Sequence, residues 1–416
     1  MQHADLAVGR SSRIRRMNQS AILQLVYASQ PIARTDLART LGLSPSTVNR
    51  LVEHMVQVGL LIEGGIRTNG PGGGRPARLI RFNANAGRIA VVDLSAVPWR
   101  AALVNLTGEV VQSFTAQPTF GAAQANLDRL AQLLDKMIAA NQDGPPLRGI
   151  GIGAPSIVLW ESGTVVWAAS LGWRDLPLVQ WAQDRWDLPI FVENDVNLLA
   201  LGESWRGAGQ DARNLAVIAL GTGIGAGLVL EGRLFRGANE AAGEIGYLPP
   251  NVDALGQTYT GFGPLEALAG APGLVKRAEE AVAQEMTSEI AQGERPLSRL
   301  AQIVAAGGAL RSDDVYGAAR QGDGVAQGLV AENAGYVALA IAGLAAVLNP
   351  EMILLGGELA HAADLYLPPL RHRLTGLLPV LPDLRPAQLA DQGVLMGAVA
   401  LVLRNTEPSI SATPVV

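Results

Sequence analysis

The sequence predicts a mixed α/β protein with a small basic N-terminal part and a larger acidic body. Residues 1–88 hold twelve arginines and no lysine against four acidic residues, whereas the rest holds 20 basic and 33 acidic residues. With 49% hydrophobic residues the chain can form large buried cores. A chain of 416 residues normally forms two or three domains. We therefore expect one domain over residues 1–85 and a second over residues 86–416, with a polyanion as partner of the first only.

The N-terminal part carries the pattern of two short helices joined by a tight turn. Thr35 or Asp36 is the predicted cap of a short helix that ends at about Leu41, and Gly42 opens a turn into a second helix over residues 46–58. The apolar face of this second helix consists of Val48, Leu51, Val52 and Met55. This is the plan of a helix-turn-helix motif, whose second helix presents its N-terminal end to base edges in DNA.

A Gly/Pro-rich loop follows the second helix and lies between two strand-like runs, which is the pattern of a wing. Arginines in and beside such a loop are placed to reach phosphates or the minor groove. The candidates for contact with double-stranded DNA are Arg34, Thr35, Ser44, Ser46, Thr47, Asn49, Arg50, Arg75 and Arg78. A helical hairpin without a DNA role and a solvated arginine-rich tail are the alternative interpretations.

The body alternates strand-like and helix-like segments. Residues 88–114 predict successive strands with turns at Val97-Pro98 and Thr107-Gly108, followed by a helix over residues 126–140. Apolar and β-branched residues flank the glycine-rich run 221–227 on both sides. A dinucleotide-binding fingerprint needs a helix after its glycines, so this run predicts a β-hairpin instead. Its backbone N–H groups are candidates for facing a phosphate or another ligand, and a plain hairpin is the alternative.

Five segments together resemble the ROK family of sugar kinases and transcriptional repressors. They are GIGIGAP (149–155), PIFVENDVNLLALGE (189–203), IALGTGIGAGLVLEGRLFRGANEAAGEIGY (218–247), GPLEALAG (263–270) and LNPEMILLGGEL (348–359). Residues 93–397 are similar to the family's body, and the whole chain is similar to a ROK-type transcriptional regulator. The resemblance implies a two-lobed, actin-like ATPase-type α/β body with a sugar cleft between the lobes. It also implies a homodimer or homotetramer and a small sugar or sugar-phosphate effector.

The same resemblance implies the residues that bind the sugar. Asp195 matches the aspartate that deprotonates the sugar hydroxyl in the family's kinases. Asn194, Glu244 and Glu266 match positions that hydrogen-bond sugar hydroxyls. Carboxylates and amides suit this task because they accept and donate in the paired patterns that adjacent hydroxyls require. Polar structure without any ligand is the alternative interpretation of these residues.

Phosphoryl transfer requires that a triphosphate and a metal ion are held in line, so a base alone does not make a kinase. The family's kinases begin the body with Asp-x-Gly-Gly-Thr. Here Asp93 remains, but the glycine and threonine positions hold Ser95, Ala96 and Val97. Side chains at these positions hinder a close approach of the backbone to a phosphate. We therefore predict no catalytic residues, no enzyme activity and no ATP, and Asp195 becomes a ligand anchor.

The family's common zinc site is also missing from the sequence. ROK proteins commonly bind zinc through one histidine and three cysteines, and the matching positions here hold Tyr247, Gln257, Tyr259 and Pro264. These side chains supply neither thiolate nor imidazole, so we predict no bound metal and no cofactor. Because the family's histidine lies near the sugar, Tyr247 is a further candidate for sugar contact.

The sequence predicts a cytoplasmic protein without a membrane partner. The first residues lack the apolar core of a signal peptide. The most apolar long run, Val337–Leu348, is short and is closed by Asn349-Pro350, which predicts a buried core helix.

The leading hypothesis is a sugar-responsive transcriptional regulator, with repression of carbohydrate metabolism genes as the expected action. A ROK-type sugar kinase with a DNA-binding extension and a constitutive DNA-binding protein with a vestigial sugar cleft are the alternatives. An assay of ATP-dependent sugar phosphorylation and a ligand-induced thermal shift distinguish the three.

Overall fold

The computed structural model describes residues 2–67, 77–259, 263–292 and 297–406. The chain divides into two compact units. The first unit contains the chain up to Asp195 together with the segment from Ala398 onward, and the second is Val196–Gly397.

The N-terminal part of the first unit is a winged helix-turn-helix. Its elements are α1 (Gln2–Ser29), β1 (Ile32–Ala33), α2 (Arg34–Leu41), α3 (Pro45–Gln57), β2 (Leu61–Arg67) and β3 (Ala77–Phe82). The wing strands β2 and β3 pair antiparallel in a three-stranded sheet of order β1-β3-β2. Helix α2 ends at Gly42, whose φ of 61° is the left-handed conformation that favours glycine at a helix end. All four predicted apolar residues of α3 are buried, which confirms the predicted face.

The predicted cap of α2 is wrong. The N-cap is Ala33, the last residue of β1, and it makes no side-chain capping bond. Thr35 and Asp36 lie inside the first turn because the strand leads directly into the helix. Asp36 still lies near the positive end of the helix dipole, where a carboxylate is stabilising.

The remainder of the first unit contains a five-stranded sheet. Its further elements are β4 (Arg88–Asp93), β5 (Trp99–Asn105), β6 (Val110–Ala116), α4 (Ala123–Ala140), β7 (Leu147–Ala154), β8 (Val158–Leu159), β9 (Thr164–Ala168), β10 (Trp173–Pro177), α5 (Leu178–Gln183), β11 (Ile190–Asn194) and α6 (Asp195–Arg206), which continues into the second unit. The strand order in the five-stranded sheet is β11-β7-β4-β5-β6. Strands β4 to β6 form an antiparallel meander, and β7 and β11 extend it in parallel. The predicted strands and turns are therefore confirmed, and α4 begins three residues before its predicted start. The predicted domain boundary at residue 85 lies in the turn between β3 and β4 and remains a prediction.

The second unit repeats the same strand plan. Its elements are β12 (Leu215–Leu220), β13 (Ile224–Leu230), β14 (Arg233–Leu234), α7 (Pro264–Ala269), α8 (Ala271–Gln292), α9 (Arg299–Ala305), α10 (Ser312–Arg320), α11 (Gly324–Leu348), β15 (Met352–Gly357), α12 (Glu358–His361), α13 (Ala363–Leu374), β16 (Asp383–Pro386) and α14 (Gly393–Thr406), which continues into the first unit. Strands β12 to β14 form an antiparallel meander, and β15 and β16 continue it in parallel. The predicted hairpin around the glycine-rich run is thus confirmed as β12–β13. The repeated plan is what the actin-like fold class requires.

Glycines in the first sheet let a helix pack directly on it. A side chain at Gly151 would bring its Cβ within 2.9 Å of the carbonyl oxygen of Ala398 and 3.1 Å of Val402. Both of those residues belong to the part of α14 that lies in the first unit. Gly151 of the GIGIGAP segment is therefore required for this packing.

Helix α11 forms much of the core of the second unit. By length and composition it is the one helix, in the part of the chain that the structure describes, that passes as a membrane span. Its residues Val337 and Ile341 are fully buried among those of α7, α10 and α13. The predicted core position of this apolar run is confirmed.

Candidate functional site

The N-terminal end of α3 is exposed on the side away from its buried face. Ser46, Asn49 and Arg50 are exposed there. The hydroxyl of Ser44 caps the helix, because its oxygen accepts a hydrogen bond from the backbone N–H of Thr47 at 3.2 Å. Ser44 and Thr47, both predicted as DNA contacts, therefore also hold the helix end in shape.

Several arginines of the motif are paired with carboxylates of the same module. Arg34 and Arg78 approach Glu63 at 3.6 and 2.6 Å. Exposed ion pairs of this kind contribute about 0–1 kcal/mol, so a phosphate can replace the carboxylate as partner. Thr35 is exposed on the first turn of α2. The predicted contact Arg75 lies outside the described residues.

In the first unit, polar residues gather at the carboxyl ends of three parallel strands. Asp93 ends β4 and Glu193 lies one residue before the end of β11, and both are in register with Gly153 of β7 between them. Both side chains therefore leave the same face of the sheet, from backbone positions about 10 Å apart across two strand spacings. Ligands of open α/β sheets bind beyond this edge.

The ENDVN segment stands at the same edge, where strand β11 passes directly into α6. Asn194 donates from its amide nitrogen to the carbonyl oxygen of Ser156 at 3.2 Å. Glu193 is buried, and its carboxyl oxygen accepts the backbone N–H of Asn194 at 2.9 Å. Asp195 is half-buried and is the first residue of α6, where the helix dipole favours a negative charge. Ser156, which the sequence did not single out, thus orients the amide of Asn194.

The turn after β4 is organised around Asp93. One carboxyl oxygen of Asp93 accepts both the backbone N–H and the hydroxyl of Ser95, at 2.9 and 2.6 Å. Burial raises the pKa of the Asp93 carboxyl, and the hydrogen bonds from Ser95 oppose that rise. The amide of Ser95 is consequently bound within the turn.

In the second unit, two predicted sugar ligands come close together. Glu244 precedes a short 3₁₀ helix, Ile245–Tyr247, and Glu266 lies in the first turn of α7. Burial raises the pKa of Glu244, and the neighbouring charge of Glu266 raises it further. Tyr247, the third candidate here, is 56% exposed at the end of the 3₁₀ helix.

The tip of the β12–β13 hairpin lies against Glu266. A side chain at Gly223 would place its Cβ within 2.0 Å of the Glu266 carboxyl oxygen. The backbone N–H groups of Gly263 and Ile224 both donate to that carboxyl group, and these bonds lower its pKa against the larger rise from burial. The hairpin that the sequence left open as a phosphate site therefore has a carboxylate at its tip.

The pair of carboxyl groups gives a pH-dependent prediction. Because the pKa of Glu244 is higher in the folded than in the unfolded chain, its ionisation destabilises the fold. This loss of stability is complete above the folded pKa, and it disappears as the pH falls to the ordinary pKa of a glutamate. Glu244→Gln is therefore expected to have a higher Tm than the unchanged protein at pH 7.5, with the difference shrinking toward pH 4.5. Thermal unfolding across this range measures it, with the exposed Glu279→Gln as control. A difference that does not vary with pH would contradict the burial argument.

The residues at the positions that match cysteine ligands of zinc have other structural roles here. The hydroxyl of Tyr259 donates to the side-chain oxygen of Gln257 at 3.2 Å, and the Gln257 amide donates to the carbonyl oxygen of Asp253 at 2.7 Å. Pro264 is the first residue of α7, where proline fits because a first-turn N–H has no helical partner. This local network involves two of the three positions that match cysteines.

The fold and these polar clusters define a class of protein in which a winged helix-turn-helix precedes an actin-like α/β body. The model of the ROK family matches residues 89–405, and a winged helix-turn-helix DNA-binding model matches residues 18–62. The chain belongs to the ROK family.

Relatives of the chain include both regulators and enzymes. A xylose repressor from Caldicellulosiruptor bescii is 28% identical over 404 residues, covering 96% of this chain and 98% of the repressor. A glucokinase from Halalkalibacterium halodurans is 34% identical over 316 residues, covering 74% of this chain and 92% of the glucokinase. The crystal structure of a ROK family transcriptional regulator, a homologue of the E. coli MLC protein, superimposes with a TM-score of 0.79 at 25% identity and covers 96% of this chain and 98% of its own.

Proposed function

We propose that the protein is a sugar-responsive transcriptional repressor of carbohydrate metabolism genes that binds operator DNA through α3 and the β2–β3 wing. One observation carries the proposal: the likeness to a repressor extends over 96% of this chain, helix-turn-helix included. The glucokinase covers 74% and leaves the rest of the chain unmatched.

The effector is a small sugar or sugar phosphate, and its contacts are proposed separately in each unit. In the first unit they are Asn194 and Asp195, and in the second they are Glu244, Glu266 and Tyr247. The sugar must bind two states of the protein with different affinity, because otherwise it cannot shift the DNA-binding equilibrium.

The test uses the full chain and DNA selected by it. Duplexes enriched from a random library provide an operator, and hexoses, pentoses and their phosphates are then titrated against the complex. We expect one of these sugars to release the DNA. Failure to enrich any duplex would refute the DNA-binding role, and release by none of them would favour a constitutive DNA-binding protein.

A sugar kinase is the second candidate, because the glucokinase shares the higher identity of the two relatives. One feature of this chain opposes it. The amide of Ser95 in the turn after β4 already donates to Asp93 and is therefore engaged within the turn. We propose that the protein is not an enzyme and binds no ATP. ATP-dependent phosphorylation of any sugar in the same panel would overturn this.

We also predict that the protein holds no zinc. Chelation is expected to leave its Tm unchanged, because the residues at the four matching positions supply no thiolate or imidazole. Elemental analysis measures the metal directly, and one zinc per chain would contradict the prediction.

The proposed repressor works in the cytoplasm as a homodimer or homotetramer. Half-sites on DNA repeat about one helical turn apart, so a symmetric dimer places two copies of α3 in successive major grooves. Light scattering at micromolar concentration measures the assembly, and a monomer would count against it.

A further inference from the structure

Helices α1 and α3 enclose a cleft beside the end of α3 that faces DNA in this class of motif. Its volume is about 300 Å³, and its lining consists of Ile14, Arg15, Asn18, Thr47, Arg50 and Leu51. Ile14 and Leu51 supply apolar wall, and the other four residues carry hydrogen-bond donors. The cleft therefore combines two guanidinium groups with an amide and a hydroxyl.

The two arginines of this cleft differ from four other arginines of the module, which are paired with carboxylates. Arg34 and Arg78 pair with Glu63, and Arg39 and Arg67 pair with Asp36. In the part of the chain that the structure describes, Arg15 and Arg50 are exposed and have no carboxylate within ion-pair distance. Two uncompensated positive charges on one small cleft repel each other, and an anion bound between them would relieve the repulsion.

We propose that this cleft is a seat for one phosphate of the DNA backbone, held jointly by Arg15 and Arg50. Guanidinium groups present planar pairs of N–H donors that match phosphate oxygens, and the amide of Asn18 adds a neutral donor. Helix α1 thereby becomes a second element that contacts DNA. The inference rests on the proposed DNA-binding function and adds a residue, Arg15, that lies outside the helix-turn-helix.

The seat also assigns different DNA contacts to different residues of α3. Thr47, Arg50 and Leu51 line the cleft, so Arg50 is directed to the backbone rather than to a base. Ser46 and Asn49 do not line it and remain exposed for base edges. Asparagine is suited to that task because its amide pairs with two atoms of adenine.

Salt titrations of DNA binding test the seat. The full chain and its variants are measured on a selected duplex and on a scrambled duplex, over a range of salt concentration. Arg15→Ala and Arg50→Ala are each expected to reduce the slope of log affinity against log salt by about 0.9, the value for one phosphate contact. Each of these variants should lower the affinity for the selected and for the scrambled duplex by the same factor. The double variant should lose about 0.9 as well, because a phosphate that needs both arginines is already released when either one is removed.

Further comparisons distinguish the seat from the alternatives. Arg39→Ala removes the same charge from an arginine that is already paired with Asp36. If it lowered the slope of log affinity against log salt by the same amount, the effect would come from the net charge of the module and not from a phosphate seat. A loss of about 1.8 in the double variant would mean two separate contacts. A loss on the selected duplex alone for Arg50→Ala would show base reading instead. Arg15→Lys and Arg50→Lys retain the charge and should retain most of the slope.

If the unchanged chain selects no duplex, the proposed function fails with the inference. If it selects one and Arg15→Ala binds like the parent, only the inference fails.

Discussion

Asp195→Asn is expected to move the sugar response to roughly ten- to a hundred-fold higher sugar concentration and to leave sugar-free operator binding unchanged. The substitution keeps the shape of the side chain and part of its hydrogen bonding but removes the negative charge. Hydrogen bonds to a charged group contribute about 1.5–3 kcal/mol, and about 1.4 kcal/mol corresponds to a factor of ten. Asp195 begins α6 and is half-buried, so it is placed to meet a ligand without being part of the core.

Operator release titrated with the active sugar measures this shift. Asp143→Asn is the matched control, because Asp143 is exposed in the turn before β7 and should give the parent curve. In a kinase the same substitution would abolish turnover, whereas a sensor has no turnover to lose. Superimposable curves for Asp195→Asn and the parent would place the effector elsewhere.

The elements most accurately predicted from sequence are those fixed by local spacing. The buried face of α3 follows from four apolar residues at helical spacing, and Gly42 marks the end of α2 because the turn there needs a left-handed residue. The β12–β13 hairpin was predictable because β-branched residues continue after the glycines where a nucleotide-binding fold would need a helix. These signals depend on a few neighbouring residues, so one sequence is enough to find them.

Features that depend on distant parts of the chain were not predictable in the same way. The cap of α2 was assigned wrongly because β1 pairs with β3, which lies far along the chain and holds Ala33 in place. Ser156 orients Asn194, which lies 38 residues further along the chain, and no pattern in the sequence around Ser156 indicates this contact. The cleft of Arg15 likewise exists only because α1 packs beside α3. The roles of the predicted DNA and sugar contacts stay predictions until they are tested.

Glu203 is a further residue that the sequence did not reveal, although it ends the segment quoted for the family resemblance. Its side chain is fully buried in the second unit. One carboxyl oxygen accepts the backbone N–H of Ala208 and the other accepts that of Leu389, each at 2.8 Å. The carboxyl group therefore fastens the C-terminal end of α6 to a segment 186 residues further along the chain.

Glu203→Ala is accordingly expected to destabilise the second unit by about 3–5 kcal/mol. Each backbone amide left without a partner in the interior costs about 1–3 kcal/mol, and the lost methylene groups add to this. Glu203→Gln should cost less, because it retains one acceptor oxygen but presents an amide nitrogen to the second N–H. Glu279→Ala, exposed on α8, is the control and should stay within about 0.5 kcal/mol of the parent. Hydrogen exchange of peptides from residues 196–220 measures the opening free energy where Glu203 acts, and calorimetry follows the unfolding of the whole chain. Protection of α6 and β12 equal to that of the parent would show that the two amides find other partners and that Glu203 is dispensable to this unit.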